Sequence, residues 1–326
     1  MSSISTQSSP ARRDALRALT VAGTAAGLTA AVSTGYVGAP AAHAAHRRGP
    51  VTTFVFVGGA NGPASADTEL ALLGHRTVGV PPPGQSGQFR RAYQAPQDLR
   101  ALATEPSPMT GIRLDDYVEA AVRVVRQVAR YGPVVLVGGS MGGATVSRVG
   151  NEVPELLHRM VYLSAFCCVR LPSAEEYLKL PEARESLLGE LAAGVVADPR
   201  VVGGVRINWR TADPQFLANA RRALVAEGSE GEFLELLNGL TPDESPQLSA
   251  ADARGHRSTW GRVPRSYVRH TLDRCLPLAL QDRMIREADA LTPGNRFDVH
   301  SVSTGHYPTP GPWRRIVRIL HSLASN

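Results

Sequence analysis

Lysine is almost missing from this chain: Lys179 is the only one among 326 residues. Cysteine is scarce as well, limited to Cys167, Cys168 and Cys275. An odd count with one adjacent pair is not a disulfide framework, and a core of this size does not need one. Metal-ligand spacing is also missing, with no HExxH, no CxxC and dispersed histidines. No metal and no cofactor is therefore expected. Aromatic residues make up 6% of the chain, and no basic stripe interleaves with them, which disfavours nucleic-acid binding. The formal charge of +6 includes Arg12, Arg13 and Arg17 against Asp14; without residues 1–44 it falls to +4. There is no internal repeat and no heptad run.

The one extended apolar run lies near the N-terminus. A polar lead is followed by Arg12-Arg13, a weakly hydrophobic Ala/Gly/Thr/Val/Leu stretch, and "AHA" ending at Ala44. Ala18 to Val37 is long enough to span a bilayer, but its glycines and threonines make a poor permanent anchor. Residues 1–44 resemble a twin-arginine (Tat) signal peptide, so export is expected, with no stable membrane insertion after cleavage. A retained anchor or a plain N-terminal extension are the alternatives.

Beyond residue 50, apolar strand patterns alternate with helical ones. "VTTFVFVGG", "HRTVGV", the strand before Gly138, "MVYLSAF", "RSYVRHTLD" and "RFDVHSV" read as strands. "LDDYVEAAVRVVRQVARYG" places Leu114, Tyr117, Val118, Ala121, Val125 and Val128 on one helical face. Near-continuous apolar strands separated by helices predict a mostly parallel sheet covered on both faces. From 171 to 263 the pattern turns to polar helical segments broken by Pro and Gly. A mainly helical cap is expected there, inserted between core segments 50–170 and 264–326.

The sharpest signal is "VVLVGGSMGGATVSRVG". A Gly-x-Ser-x-Gly between a buried strand and a helix is a nucleophile elbow. Its turn is so tight that Gly138 and Gly142 are steric requirements, and Ser140 is held strained with its hydroxyl exposed. A phosphate loop fits poorly, since there is no Lys-Ser/Thr ending and no GxGxxG register. A serine hydroxyl needs a base and a group orienting that base, in the chain order Ser, acid, His. His306, in a turn-rich loop after the last strand, is the candidate base. His43 and His46 sit in or beside the signal, and His75, His158, His256, His270, His300 and His321 sit before the acid or on regular elements. Asp273 in "SYVRHTLDRCLP" is the candidate acid, against Asp282, Asp289 and Asp298. Asp115 and Asp116 read as helix-dipole partners. An oxyanion needs backbone donors. Met141, following the nucleophile, supplies one; the loop "VGGANG" supplies the other through Ala60, with Asn61 as fallback. The two adjacent cysteines read as small core or pocket residues.

Together these residues resemble the α/β-hydrolase superfamily. Within it they resemble the branch of plant methylesterases, hydroxynitrile lyases and related bacterial, notably actinobacterial, esterases. The likeness covers most of the chain after the signal. "LDDYVEAAVRVV", "VVLVGGSMGGATVSRV", "MVYLSAF", "WGRVPRSYVRHTLDRCLPLALQDRMI" and "GHYPTPGPW" stand in that branch's order. The run from Trp260 to Ile285 is more diagnostic than the elbow itself. The resemblance implies an α/β-hydrolase fold, with Ser140, Asp273 and His306 in the triad positions and Ala60 and Met141 in the oxyanion positions. Two departures stand out. Gly58-Gly59 replaces the usual His-Gly pair, and Gly139 replaces the usual His before the nucleophile, which would widen the pocket.

The expected activity is serine hydrolysis of a carboxylic ester of a small organic molecule, through an acyl-enzyme on Ser140. A hydroxynitrile lyase or an acyltransferase-type tailoring enzyme on the same scaffold is the alternative. A non-catalytic small-molecule binding protein is a third, which an intact triad disfavours. Cap and pocket shape decide the substrate, so motifs stop at the ester class. For the N-terminal stretch, replacing Arg12 and Arg13 by lysine is expected to block secretion, and the secreted chain to begin near Ala45. Fractionation and N-terminal sequencing check this; active full-length chain found in the cytoplasm would refute it.

Overall fold

The computed structural model describes residues 51–84 and 91–324. The signal-like stretch 1–44, with His43, as well as His46 and residues 85–90, lie outside the described residues. The strands are β1 (Thr53–Val57), β2 (Arg76–Gly79), β3 (Val134–Ser140), β4 (Arg159–Ala165), β5 (Val205–Arg206), β6 (Asp243–Glu244), β7 (Arg265–His270) and β8 (Asp298–Val302). The α-helices are α1 (Thr68–Leu72), α2 (Leu99–Thr104), α3 (Leu114–Ala129), α4 (Gly142–Glu152), α5 (Ala174–Leu178), α6 (Pro199–Val202), α7 (Pro214–Leu224), α8 (Glu230–Gly239), α9 (Leu278–Leu291) and α10 (Pro310–Leu323). Six strands form one sheet in the order β2-β1-β3-β4-β7-β8, and every pair is parallel. This is the expected α/β architecture.

Parallel strands covered on both faces must be apolar at consecutive positions. Val134 to Val137 are all buried, which makes β3 the centre of the sheet. One face packs on α10: Val135, Val137, Val161 and Val268 meet Ile316, Val317 and Leu320. The other face carries α3, α4 and α9, with Leu136, Met160 and Tyr162 in the same cluster as Val118, Val146 and Met284. Helix α3 buries Leu114, Tyr117, Val118, Ala121 and Val125 as its spacing predicts, whereas Val128 is only half-buried. Its first turn carries Asp115 and Asp116, and Asp116 Oδ2 accepts the Arg113 N–H at 2.8 Å. On α10, Ile316 and Leu320 are buried as expected, joined by Val317, while Trp313 and Ile319 lie half-buried.

Between β4 and β7 runs a long insertion, holding helices α5 to α8. It also contains a two-stranded antiparallel ribbon, with Val205 opposite Glu244 and Arg206 opposite Asp243. Two-residue strands are too short to leave a period-2 signature, so the ribbon is illegible in the sequence. Arg206 is fully buried at its base. Its guanidinium meets Asp243 Oδ1 at 2.8 Å and donates to the carbonyls of Leu102 at 2.6 Å and Glu105 at 2.9 Å. The ribbon is thereby fastened to the C-terminal end of α2 by a charge that cannot reach water.

Removing one partner of a buried ion pair strands the other charge, at a cost of about 3–5 kcal/mol. Asp243→Ala is therefore expected to lose stability on that scale in urea unfolding, with the m-value checked for two-state behaviour. A loss below about 1 kcal/mol, the range of exposed pairs, would show that Arg206 has a route to solvent.

Candidate active site

The β3–α4 turn begins with a steric problem. A Cβ on Gly138 would lie 2.6 Å from Val146 Cγ2 and 2.8 Å from the Gly142 carbonyl oxygen. A Cβ on Gly142 would lie 2.7 Å from the Gly58 oxygen and 2.8 Å from that of Val57. Both contacts are closer than a real Cβ tolerates, so the strand, the helix start and the end of β1 approach here as bare backbone. Ser140, between them, has φ of +52°, in the left-handed region that L-residues rarely occupy. This strain turns its Oγ out of the sheet.

His306 and Asp273 meet that hydroxyl from other strand ends. Ser140 Oγ lies 3.0 Å from His306 Nε2, and His306 Nδ1 lies 2.7 Å from Asp273 Oδ2. An ionised carboxylate only accepts, so Nδ1 carries the proton and Nε2 is left to accept from the serine hydroxyl. Asp273 also accepts from Ser164 Oγ at 2.6 Å and from the backbone N–H groups of Cys275 at 2.7 Å and Leu276 at 2.9 Å. Burial pushes the Asp273 carboxyl up, but the adjacent His306 imidazole and these donors outweigh it and hold it below the usual aspartate value.

The loop after β1 lies against the elbow: a Cβ on Gly59 would sit 3.0 Å from Ser140 Cβ. Ala60 and Met141 line the same cavity as Ser140 and His306. Asn61 cannot serve as the fallback donor, because its N–H is given to Glu244 Oε2 at 2.9 Å. Its carbonyl and side chain are also engaged, by Thr241 and Pro242. Asn61 takes φ of +56° to make these contacts. Glu244 is buried, accepts Tyr117 Oη at 2.5 Å and the Ser245 N–H at 2.7 Å, and is pushed up by burial.

The alpha/beta hydrolase family model matches residues 54–319, most of the chain. The chain belongs to the α/β-hydrolase family. No curated protein matches it significantly. Solved structures give the same fold at low identity. A pyrethroid hydrolase from Sphingobium faniae is 18% identical, with a TM-score of 0.59 over 84% of this chain and 98% of that one. An extracellular α/β-hydrolase from a Paenibacillus species is 17% identical, with a TM-score of 0.55 over 83% and 97%. A methylesterase from Arabidopsis is 16% identical, with a TM-score of 0.56 over 85% and 100%.

Several of the competing residues are engaged elsewhere in this α/β-hydrolase. His75 faces His321 at 2.8 Å, and His300 lies 3.1 Å from Asp298. Asp282 pairs with Arg269, Asp289 accepts the Phe297 N–H, and Asp115 pairs with Arg148. Cys167 and Cys168 are fully buried and packed in the core, with burial pushing the Cys167 thiol up to about 12. Among the described residues the one grouping with metal-ligand proximity is Asp273, Cys275 and His306. Its carboxylate oxygens are already taken by four donors, and burial keeps the Cys275 thiol protonated, so these residues suit a proton relay better than an ion.

Four contributors escaped the sequence reading: Ser164, Glu244, Glu227 and His270. Glu227 accepts Thr304 Oγ1 at 2.9 Å and the Gly305 N–H, bracing the loop that carries His306. His270, at the end of β7, is 1% exposed, and burial lowers it to about 4. An unfolded histidine titrates near 6.5. Between these values the unfolded chain binds a proton that the folded one refuses. This group's contribution is therefore full above pH 6.5 and is lost as pH falls toward 4, an interval worth roughly 3 kcal/mol. The stability difference between the native chain and His270→Gln should accordingly shrink by up to about that amount between pH 7 and pH 4. Urea titrations at stepped pH test this; a difference independent of pH would mean the ring is already protonated in the fold.

Proposed function

We propose that this chain is a serine carboxylesterase-type hydrolase acting on a carboxylic ester of a small organic molecule. The observation that carries the reading is the hydrogen-bonded line Ser140 Oγ–His306 Nε2 and His306 Nδ1–Asp273 Oδ2, opening into a cavity of about 360 Å3. That volume suits a small ligand, and the walls are mostly apolar, with Leu191, Val195, Ile207 and Trp209 among them. Relatives of the same fold named as a pyrethroid hydrolase and a methylesterase agree with an ester substrate.

In this mechanism Oγ attacks the ester carbonyl carbon as Nε2 takes the hydroxyl proton. The negative charge that develops on the carbonyl oxygen faces the N–H groups of Ala60 and Met141, and one such donor is worth about 3–4 kcal/mol. Collapse breaks the bond to the alcohol oxygen, which takes the proton from Nε2 and leaves an acyl group on Ser140. A water deprotonated by the same nitrogen then hydrolyses the acyl-enzyme. Asp273 fixes the imidazole tautomer and stabilises the imidazolium.

Cyanohydrin cleavage, the second reading on this scaffold, needs a cation for departing cyanide. The residue following His306 is Tyr307, half-buried, with its phenol pushed up by desolvation and hence uncharged. Lys179 is paired with Glu175 and Glu176 on the surface of the insertion, and among the described residues no lysine or arginine lines the cavity. We also propose that the chain is exported through its twin-arginine segment.

Ser140→Ala is the decisive variant. Turnover of short aryl esters should fall by roughly 10³–10⁶-fold with an unchanged circular dichroism spectrum. The native chain should release cyanide from mandelonitrile only at background. Retention of most ester turnover by the variant, or cyanide release matching ester turnover, would overturn the assignment.

A further inference from the structure

Four glycines flank Ser140 in the elbow, and three of them are required by packing: a Cβ on Gly143 would lie 2.3 Å from the Phe166 carbonyl oxygen. Gly138 and Gly142 leave no room for a Cβ, as described above. Gly139 differs. Its φ is not positive, and an added Cβ would meet only the Leu163 carbonyl oxygen, at 3.6 Å, an ordinary contact. Neither backbone conformation nor close approach demands glycine at this position.

What the missing side chain leaves is a second cavity. It measures about 220 Å3 and is walled by Gly139, Leu163, Gly59, His270 and Trp313. Ser140 and His306 line this cavity as well as the larger one beneath the insertion. The nucleophile and base therefore stand where two chambers meet. A tetrahedral intermediate on Ser140 has, besides its oxyanion, two substituents that must leave the carbonyl carbon in different directions. Two chambers sharing Ser140 and His306 provide those directions.

The chambers differ in chemistry. The larger is walled mainly by aliphatic side chains. The smaller has Ser65 and Asp67 in its wall, and Ser65 is exposed to solvent. A chamber with polar groups in a wall that reaches solvent favours the polar product, the alcohol, over a hydrocarbon chain. A dry cavity of about 150 Å3 holds benzene, so the smaller chamber accommodates a single ring with a short link.

We propose that the Gly139 chamber is the leaving-group subsite, and that the substrate is an ester of an apolar acid with a ring-bearing alcohol of about benzyl size. This rests on the ester-hydrolase reading above. Gly139 is the size-determining position: any side chain there projects into the space the alcohol occupies.

The test is a matrix of esters assayed with the native chain and with Gly139→Ala, Gly139→Val and Gly139→Leu. One series keeps the acid constant and varies the alcohol from methyl to benzyl; the other keeps a methyl alcohol and lengthens the acid. The readout is the ratio of kcat/KM for benzyl over methyl ester, which is independent of the amount of active enzyme. That ratio should fall progressively from Ala to Leu, by at least about 20-fold at Leu, while preference along the acid series stays constant. Gly139→Ala adds one methyl in open space and keeps the test valid should the larger variants misfold. A benzyl-to-methyl ratio constant within threefold across the variants, or a change confined to the acid series, overturns the subsite while leaving the ester reading intact. Absence of turnover of every ester by the native chain overturns both.

Discussion

At the end of β3, backbone must pass backbone with no side chain between. The Gly142 Cα faces the carbonyls of Val57 and Gly58, and Gly138 faces both Val146 and the Gly142 carbonyl. This contact forces Ser140 into the left-handed region, and its effects spread into the neighbouring strand. β3 and β4 pair regularly up to Gly139 and Leu163, and then Ser140 stands opposite Ala165. Ser164 is thus the extra residue of a bulge, with φ of +37°. Displaced from the regular pleat, its hydroxyl reaches Asp273 at 2.6 Å, and Asp273 in turn holds His306. A single packing constraint therefore presents the nucleophile and also helps seat the acid two strands away.

The insertion between β4 and β7 is part of the same construction. Both loops that flank Ser140 are hydrogen-bonded to it. The loop after β1 is tied through Asn61 to Thr241 and Glu244, and the loop carrying His306 through Glu227 and through the Tyr307 N–H to the Leu224 carbonyl at 2.9 Å. Arg206 then anchors the ribbon holding Glu244 to the core helix α2. A segment fastened at these points cannot move as a free lid without disturbing the donors beside the nucleophile. Changes in it should consequently reach the reaction as well as substrate choice.

The elbow was legible because its cause is local: six consecutive residues contain the strand end, the glycines and the serine. Asp273 and His306 were legible through chain order and position relative to strands. Ser164 was not, because its role follows from a bulge that only strand pairing reveals. Glu244 and Glu227 lie in polar stretches where acidic residues ordinarily face water, and 183 residues separate Glu244 from Asn61. The same distance hid the fact that Asn61 had no free N–H. Gly139 could be flagged as a departure from the family pattern. Whether its missing side chain meant a tight turn or an open chamber depended on what stood opposite it in space.

Two buried carboxylates near the nucleophile are shifted in opposite directions, and the contrast follows from their neighbours. Burial works against ionisation of both. At Asp273 that penalty is overcome by an imidazole that becomes cationic in the proposed reaction, together with three further donors. At Glu244 three donors are present, but no cation is among them, and the carboxyl stays above its ordinary value. The difference suits the chemistry proposed for each side of Ser140. A fixed anion beside His306 stabilises the imidazolium, whereas a full charge at Glu244, bonded to the residue next to Ala60, would repel the developing oxyanion. Burial without a cationic partner disfavours that charge.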